Sequence, residues 1–303
     1  GNNLKFLLYF LRYAGSSGLL DVLCNKATIA HFTGDKLGNL EFPLPSTQEQ
    51  HAIAAFLDRE TAQIDALIAR QERLIAALQE KRQALISHAV TKGLNPHAPL
   101  KPSGIEWLGD VPAHWEVKRL RHCCQVRNKK INAVESDLPY FGLENIEPRS
   151  GKAIAAEAVV ESEGTANCYY PGDVLFGKLR PYLAKVLESR TQGICTTELL
   201  VLQPISVAST FLKYYLLTDE FIQIVDSSTY GAKMPRASWE FISNMPMPIP
   251  PIQEQHAITA FIDCETAKID ALLAKLGRLI ALLRERRSAL VAAAVTGQID
   301  VRG

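Results

Sequence analysis

Three short stretches of the 303-residue chain set cationic side chains among turn-forming residues. The first, 169–185 (YYPGDVLFGKLRPYLAK), puts Lys178, Arg180 and Lys185 around a turn with Tyr182 beside them. The second, 227–238 (SSTYGAKMPRAS), is a glycine-containing loop with Tyr230, Lys233, Arg236 and several hydroxyls. The third is the run Arg127, Asn128, Lys129, Lys130. A guanidinium can meet both acceptors of a guanine edge, and an ammonium neutralises a phosphate. Any one such cluster is more often a solvated surface. Their occurrence in one part of the chain is what favours contact with nucleic acid.

Catalytic signatures are missing from the sequence. It has no G-x-x-x-x-G-K-[ST] loop, no G-x-S-x-G elbow, no H-E-x-x-H and no [DN]-P-P-[YFW] tetrapeptide. Asp173 and Lys178 are fragments of a nuclease pattern, but no E-x-K partner follows a suitable strand. His51 and His256 recur near two helix starts, a placement that suits packing or capping. The six cysteines form no C-x-x-C pair, which reads as reduced thiols of a cytoplasmic protein and gives no metal site. Lys and Arg total 33 against 32 Asp and Glu, a net charge of +1, less basic than an isolated DNA binder. No apolar run reaches the roughly 18 residues of a membrane span.

What must position the cationic stretches is a repeat. Residues 43–91 and 248–296 align without a gap at an offset of 205. Roughly 30 of about 50 positions are identical. More weakly, Phe6-Leu7 falls on Phe211-Leu212, Tyr9 on Tyr214, Leu11 on Leu216 and Asn39 on Asn244. The chain therefore reads as the tail of one unit followed by a nearly complete second. On that reading about 100 residues are missing from the front, and an intact protein would have about 400.

Each copy is expected to be one long helix, rich in Ala, Leu, Glu, Gln, Lys and Arg and free of internal proline. Thr47 with Gln50 is the expected capping box of the first; Pro250 and Pro251 precede the second. Ile64, Leu67, Gln71, Leu74, Leu78, Lys81 and Leu85 step by three and four. So do Ile269, Leu272, Leu276, Leu279, Leu283, Arg286 and Leu290, while Ile68, Ile75, Leu273, Ile280 and Leu282 widen the stripe. A heptad seam needs a helical partner, and the other copy, antiparallel, is the nearest. From Ile64 to Leu85 the rise is about 33 Å, close to the ~34 Å of one B-DNA turn.

Between the helices, 92–104 (KGLNPHAPLKPSG) has linker composition, and Trp107 and Trp115 are expected to anchor the start of a domain. Short β-like runs follow at 138–142, 174–176, 184–187 and 199–202, with helices at 211–217 and 220–225. The expected class is α+β: a mixed, mostly β domain plus two long helices in an antiparallel coiled coil.

The duplicated P-x-P-x-x-Q-E-Q-H-A-I start, the I-D-A-L-[IL]-A run and the A-V-T-[KG] end, with SGIEWLGDVPAHW and GDVLFGKLRPYLAK, resemble the specificity subunit of type I restriction-modification enzymes. The resemblance covers essentially the whole chain. It implies target recognition domains alternating with conserved helices, each domain reading half of a split site on double-stranded DNA while the helices set the spacer. On this pattern 1–45 is the remnant of a first recognition domain, 46–92 the first helical region and 93–105 a linker. A second recognition domain occupies 106–250, the second helical region 251–297, and a tail 298–303. The implied partners are adenine-methylating subunits using S-adenosylmethionine and motor-nuclease subunits using ATP and Mg, so this chain itself would need no cofactor. A coiled-coil scaffold that joins other subunits without reading DNA is the alternative.

Overall fold

The computed structural model describes residues 2–20, 42, 44–154, 164–231 and 233–301. It divides into two compact units, one of residues 1–78 with 270–303, the other of residues 79–269. The helices are α1 (Leu4–Ser16), α2 (Thr47–Lys92), α3 (Ser209–Leu216), α4 (Asp219–Ser227), α5 (Trp239–Ser243) and α6 (Ile252–Val295). The fold is α+β, with the two long helices antiparallel, and among the described residues no helix is long and apolar enough to cross a membrane.

In the first unit Ile53 and Leu57 of α2 share a buried cluster with Val291, Ala294 and Val295 of α6. Asp65 accepts both arms of Arg287 at 2.8 and 3.2 Å, and Glu72 meets Arg284 at 3.0 Å. Low numbers on one helix thus face high numbers on the other. In the second unit the same positions recur with the copies exchanged: Ile258 and Ile262 of α6 lie with Ile86, Ala89 and Val90 of α2.

The hydrogen bonds repeat as well. Gln50 Oε1 accepts from Asn3 N and its Nε2 donates to the Pro45 carbonyl, at 2.8 and 2.9 Å. Gln255 does the same with Ala208 N and Pro250, at the same distances. Tyr9 donates to Asp58 as Tyr214 does to Asp263, and Thr61 and Thr266 each bond the carbonyl four residues back. Buried glutamines at both helix starts satisfy backbone groups that would otherwise be orphaned.

The capping box of α2 is Ser46 with Glu49, one residue before the expected Thr47 and Gln50. The heptad register also differs from the expected one. Ile64, Ile68, Gln71, Ile75 and Leu78 turn inward, whereas Leu67 and Leu74 are each 46% exposed. Likewise Ile269, Leu273, Leu276, Ile280 and Leu283 turn inward, with Leu272 and Leu279 exposed. Leu85 and Leu290 are half-buried beside Ile86 and Val291, which take the seam. The residue one position on (Ile68, Ile75, Leu273 and Ile280) occupies the position assigned to leucine, and the exposed leucines form the outer edge of the stripe.

The second unit holds two four-stranded sheets. One runs β4 (Cys124–Val126), β11 (Leu199–Pro204), β8 (Val174–Gly177), β9 (Val186–Glu188), antiparallel throughout. The other runs β5 (Lys130–Asn132), β7 (Thr165–Tyr169), β10 (Gly193–Cys195), β6 (Tyr140–Phe141), the last pair parallel. Two-stranded ladders join β1 (Leu100–Pro102), inside the stretch expected to be a linker, to β2 (Asp110–Pro112) beyond it, and β3 (Glu116–Arg119) to β12 (Pro246–Ile249). On β8, Val174 and Phe176 enter the cluster containing α3 and α4, while Leu175 points into a second with Tyr169, Leu199 and Val201. The period-two alternation explains this: both faces of the sheet are buried, so the strand reads as an unbroken apolar run. Trp115 is fully buried and Trp107 half-buried against the same core, so the tryptophans pack as expected.

Candidate nucleic-acid interface

Two of the three cationic stretches form one surface. After β8 the chain turns through Lys178–Arg180 into a 3-10 turn, Pro181–Leu183. The segment 230–237 comes alongside: Arg180 N donates to the Pro235 carbonyl at 2.8 Å and Ala237 N to that of Lys178 at 2.9 Å. Tyr230 and Arg236 exchange backbone hydrogen bonds, closing the second loop on itself. Lys178, Arg180, Tyr230, Lys233 and Arg236 are thus brought together with Tyr182, and Tyr230 is 63% exposed.

The loops are held in a costly backbone. Among the described residues three non-glycines have left-handed φ: Arg149 (59°), Arg180 (51°) and Ala184 (47°). Arg149 N donates to the Ala184 carbonyl at 3.1 Å, so all three meet at the same turn. Non-glycine residues there cost on the order of 1–3 kcal/mol each and persist only where the surroundings enforce them. The enforcing contacts are visible. Arg82 of α2 donates to the carbonyls of Arg149 and Ser150 at 3.0 and 2.9 Å. Arg149 itself pairs with Asp219, and Lys185 Nζ donates to the Leu143 carbonyl at 2.6 Å.

Arg236 lays its guanidinium on Glu198, with Nε–Oε2 and Nη2–Oε1 both at 3.0 Å. That pairing holds its proton above the ordinary arginine range. Burial pulls the Lys185 ammonium below its usual range. Lys178 N donates to the carbonyl of Glu198, tying the first loop to the same residue.

The third stretch is built differently. Arg127 is bidentate on Asp173 at 2.8 and 3.0 Å, and that carboxylate is 2% exposed. The same guanidinium stacks 4.7 Å from the Tyr170 ring, whose hydroxyl accepts from Lys129 at 2.9 Å. Lys129 and Lys130 are exposed. Arg127, Lys185 and Arg236, singled out in the sequence for DNA contact, are therefore each engaged by groups of the domain itself. Lys129, though exposed, is likewise tied to Tyr170, which leaves the exposed Arg180, Lys233 and Lys130 and the half-buried Lys178.

Sequence reasoning missed Arg149 and Glu198. Arg149 stands in a short turn-forming stretch, PRSGK, outside the three singled out, and Glu198 stands in none; the backbone conformation of Arg149 and the ion pair of Glu198 reveal them. Among the described residues no cluster of histidine, cysteine, aspartate and glutamate could hold a metal ion.

The family described as "Type I restriction modification DNA specificity domain" matches residues 1–76 and 112–276. The EcoDI specificity subunit of a type I restriction enzyme from Escherichia coli is 25% identical over 98% of this chain and 70% of its own length. The MjaVIII specificity subunit from Methanocaldococcus jannaschii is 23% identical over 76% of this chain and 56% of its own. A solved structure from work on assembly and conformational transition of the type I R-M system superposes with a TM-score of 0.64 at 21% identity, covering 97% of this chain and 71% of that one. That likeness concerns the fold: antiparallel long helices beside a mixed β domain. With the family matching both the helical repeat and the loop-bearing domain, the chain belongs to the type I restriction modification DNA specificity family.

Proposed function

We propose that this chain is the non-catalytic, sequence-reading subunit of a type I restriction-modification complex and acts in the cytoplasm. The domain of residues 106–250 reads one half of a bipartite site on double-stranded DNA, and the paired helices set the distance to the other half. The observation that carries this reading is the strained loop pair, which offers Lys178, Arg180 and Lys233 with Tyr182 and Tyr230 on a rigid base. Arg180 and Lys178 reach base edges or phosphates, and Arg236 with Glu198 keeps the second loop against the first. Lys129 and Lys130 add phosphate contacts. A net charge of +1 suits a subunit that shares the phosphate backbone with its partners.

Those partners are methylating subunits that use S-adenosylmethionine and motor-nuclease subunits that use ATP and Mg. They dock on the exposed leucines of the long helices, Leu67, Leu74, Leu272 and Leu279. The test is DNA binding by the chain assembled with its methylating partner, measured for Lys178→Ala and Arg180→Ala. A base-reading side chain costs about 1–3 kcal/mol and relaxes the sequence preference at one position, whereas a phosphate contact lowers affinity on all sequences and reduces the salt slope. Unchanged affinity and unchanged salt slope in both variants would instead favour a scaffold that joins subunits without reading DNA.

A further inference from the structure

The cationic surface of Lys178 and Arg180 holds a carboxylate that touches both of its loops. Glu198 lies in the turn between β10 and β11, where Leu199 N donates to the Thr196 carbonyl at 3.1 Å and Glu198 N to Thr196 Oγ1 at 3.3 Å. Its own carbonyl accepts from Lys178 N at 3.0 Å. Its side chain is 23% exposed and lies under Arg236. Oε1 accepts from Nη2 at 3.0 Å and from Nε at 3.3 Å, while Oε2 accepts from Nε alone, at 3.0 Å.

An ionised carboxylate can accept about four hydrogen bonds, two on each oxygen. The guanidinium therefore leaves Oε2 with an acceptor direction in use by no described residue. Backbone bonds also join the two loops here, from Arg180 N to Pro235 and from Ala237 N to Lys178. The ion pair adds to that junction a carboxylate whose direction is set from two sides, by the turn and by Arg236. A carboxylate at a surface that meets phosphates lowers affinity by repulsion unless a donor comes to it. In the major groove the donors are the amino groups on cytosine N4 and adenine N6. Guanine and thymine present carbonyl oxygens there, which a carboxylate repels.

We infer that Glu198 is a base-reading residue whose Oε2 accepts a hydrogen bond from the exocyclic amino group of a cytosine or adenine, with Arg236 as its positioning residue. The inference rests on the reading of residues 106–250 as a DNA reader and names an acceptor within that surface. Lys178 and Arg180 attract the duplex, and Glu198 rejects bases that offer it no donor. Selectivity at that position thus comes as much from repulsion as from the bond gained.

The test uses the chain assembled with its methylating partner, on duplexes carrying the sequence that the complete system methylates in cells. Every base pair carries one such amino group, on its adenine or its cytosine. In the half-site assigned to this domain each is removed in turn, with purine for adenine and 2-pyrimidinone for cytosine, the methylated adenine excepted. Binding is followed by fluorescence anisotropy. One analogue should weaken the parent complex at least tenfold and the Glu198→Ala complex less than threefold. The weaker base pair acts on both complexes alike, so the difference isolates the contact. Arg236→Ala should blunt the response to that same analogue, and Arg236→Lys should restore it. Should Glu198→Ala fail to assemble, Glu198→Met, of similar length and without a carboxylate, takes its place. The inference is overturned if no analogue weakens the parent tenfold. It is also overturned if the response survives loss of the carboxylate, or if each variant weakens every duplex by one common factor. A parent complex that binds unrelated duplexes equally well would instead refute DNA reading itself.

Discussion

Arg180 adopts a backbone that its β-carbon opposes, and a hydrogen bond from its N–H to Pro235 holds it there. A backbone held in this way has little of its own conformational entropy left to lose on binding, and it fixes the point from which the exposed side chain extends. The buried thiols are fixed for a different reason, since no partner charges them. Burial pushes Cys123 up to about 11 and Cys124 and Cys195 up to about 12. Native protein at pH 8 should therefore be alkylated at Cys264, which is exposed, while Cys123, Cys124, Cys168 and Cys195 react only on unfolding; quantitative mass spectrometry of labelled peptides checks this. Above the ordinary thiol value of 9.0 the unfolded chain sheds protons that the folded chain keeps. Stability should thus fall as pH climbs from about 9 towards about 12, read by urea denaturation at stepped pH. Rapid native labelling of Cys124 would contradict the burial. At this scale the sequence shows the outward cations, since Lys178, Arg180 and Lys233 stand in turn-rich stretches. It does not show Glu198 or Arg149, which act across gaps of 38 and 35 residues from Arg236 and Ala184.

The long helices were legible as elements because nothing interrupts their helical composition. Their partnership followed from the repeat. Their register did not follow, because Leu67 and Ile68, or Leu74 and Ile75, are adjacent apolar pairs, and periodicity alone cannot say which member faces inward. The burial of Ile64, at 6%, against 46% for Leu67 makes the difference measurable. Ile64→Ala should destabilise by about 2–4 kcal/mol, while Leu67→Ala should stay within about 0.5 kcal/mol of the parent in the same denaturation experiment. Equal losses would mean that the seam passes through Leu67 after all. The small strands were less visible than the helices. Gly193–Cys195 is three residues long and owes its existence to pairing with Thr165–Tyr169, a contact with no local signature.

At the scale of the molecule the repeated side-chain bonds say more than the matched letters. Gln50 and Gln255 make the same two hydrogen bonds, and Tyr9 and Tyr214 find equivalent aspartates. The same helix-start geometry is therefore built twice, once in each unit. On the proposed function, residues 106–247 do the sequence reading and should be exchangeable as a block between the two helical ends. The most direct measurement is to replace this block with that of another specificity subunit and map adenine methylation in cells carrying the complete system. One half of the methylated sequence should change, while the other half and the spacer stay as they were. A methylated sequence untouched by the exchange would show that this domain does not read DNA.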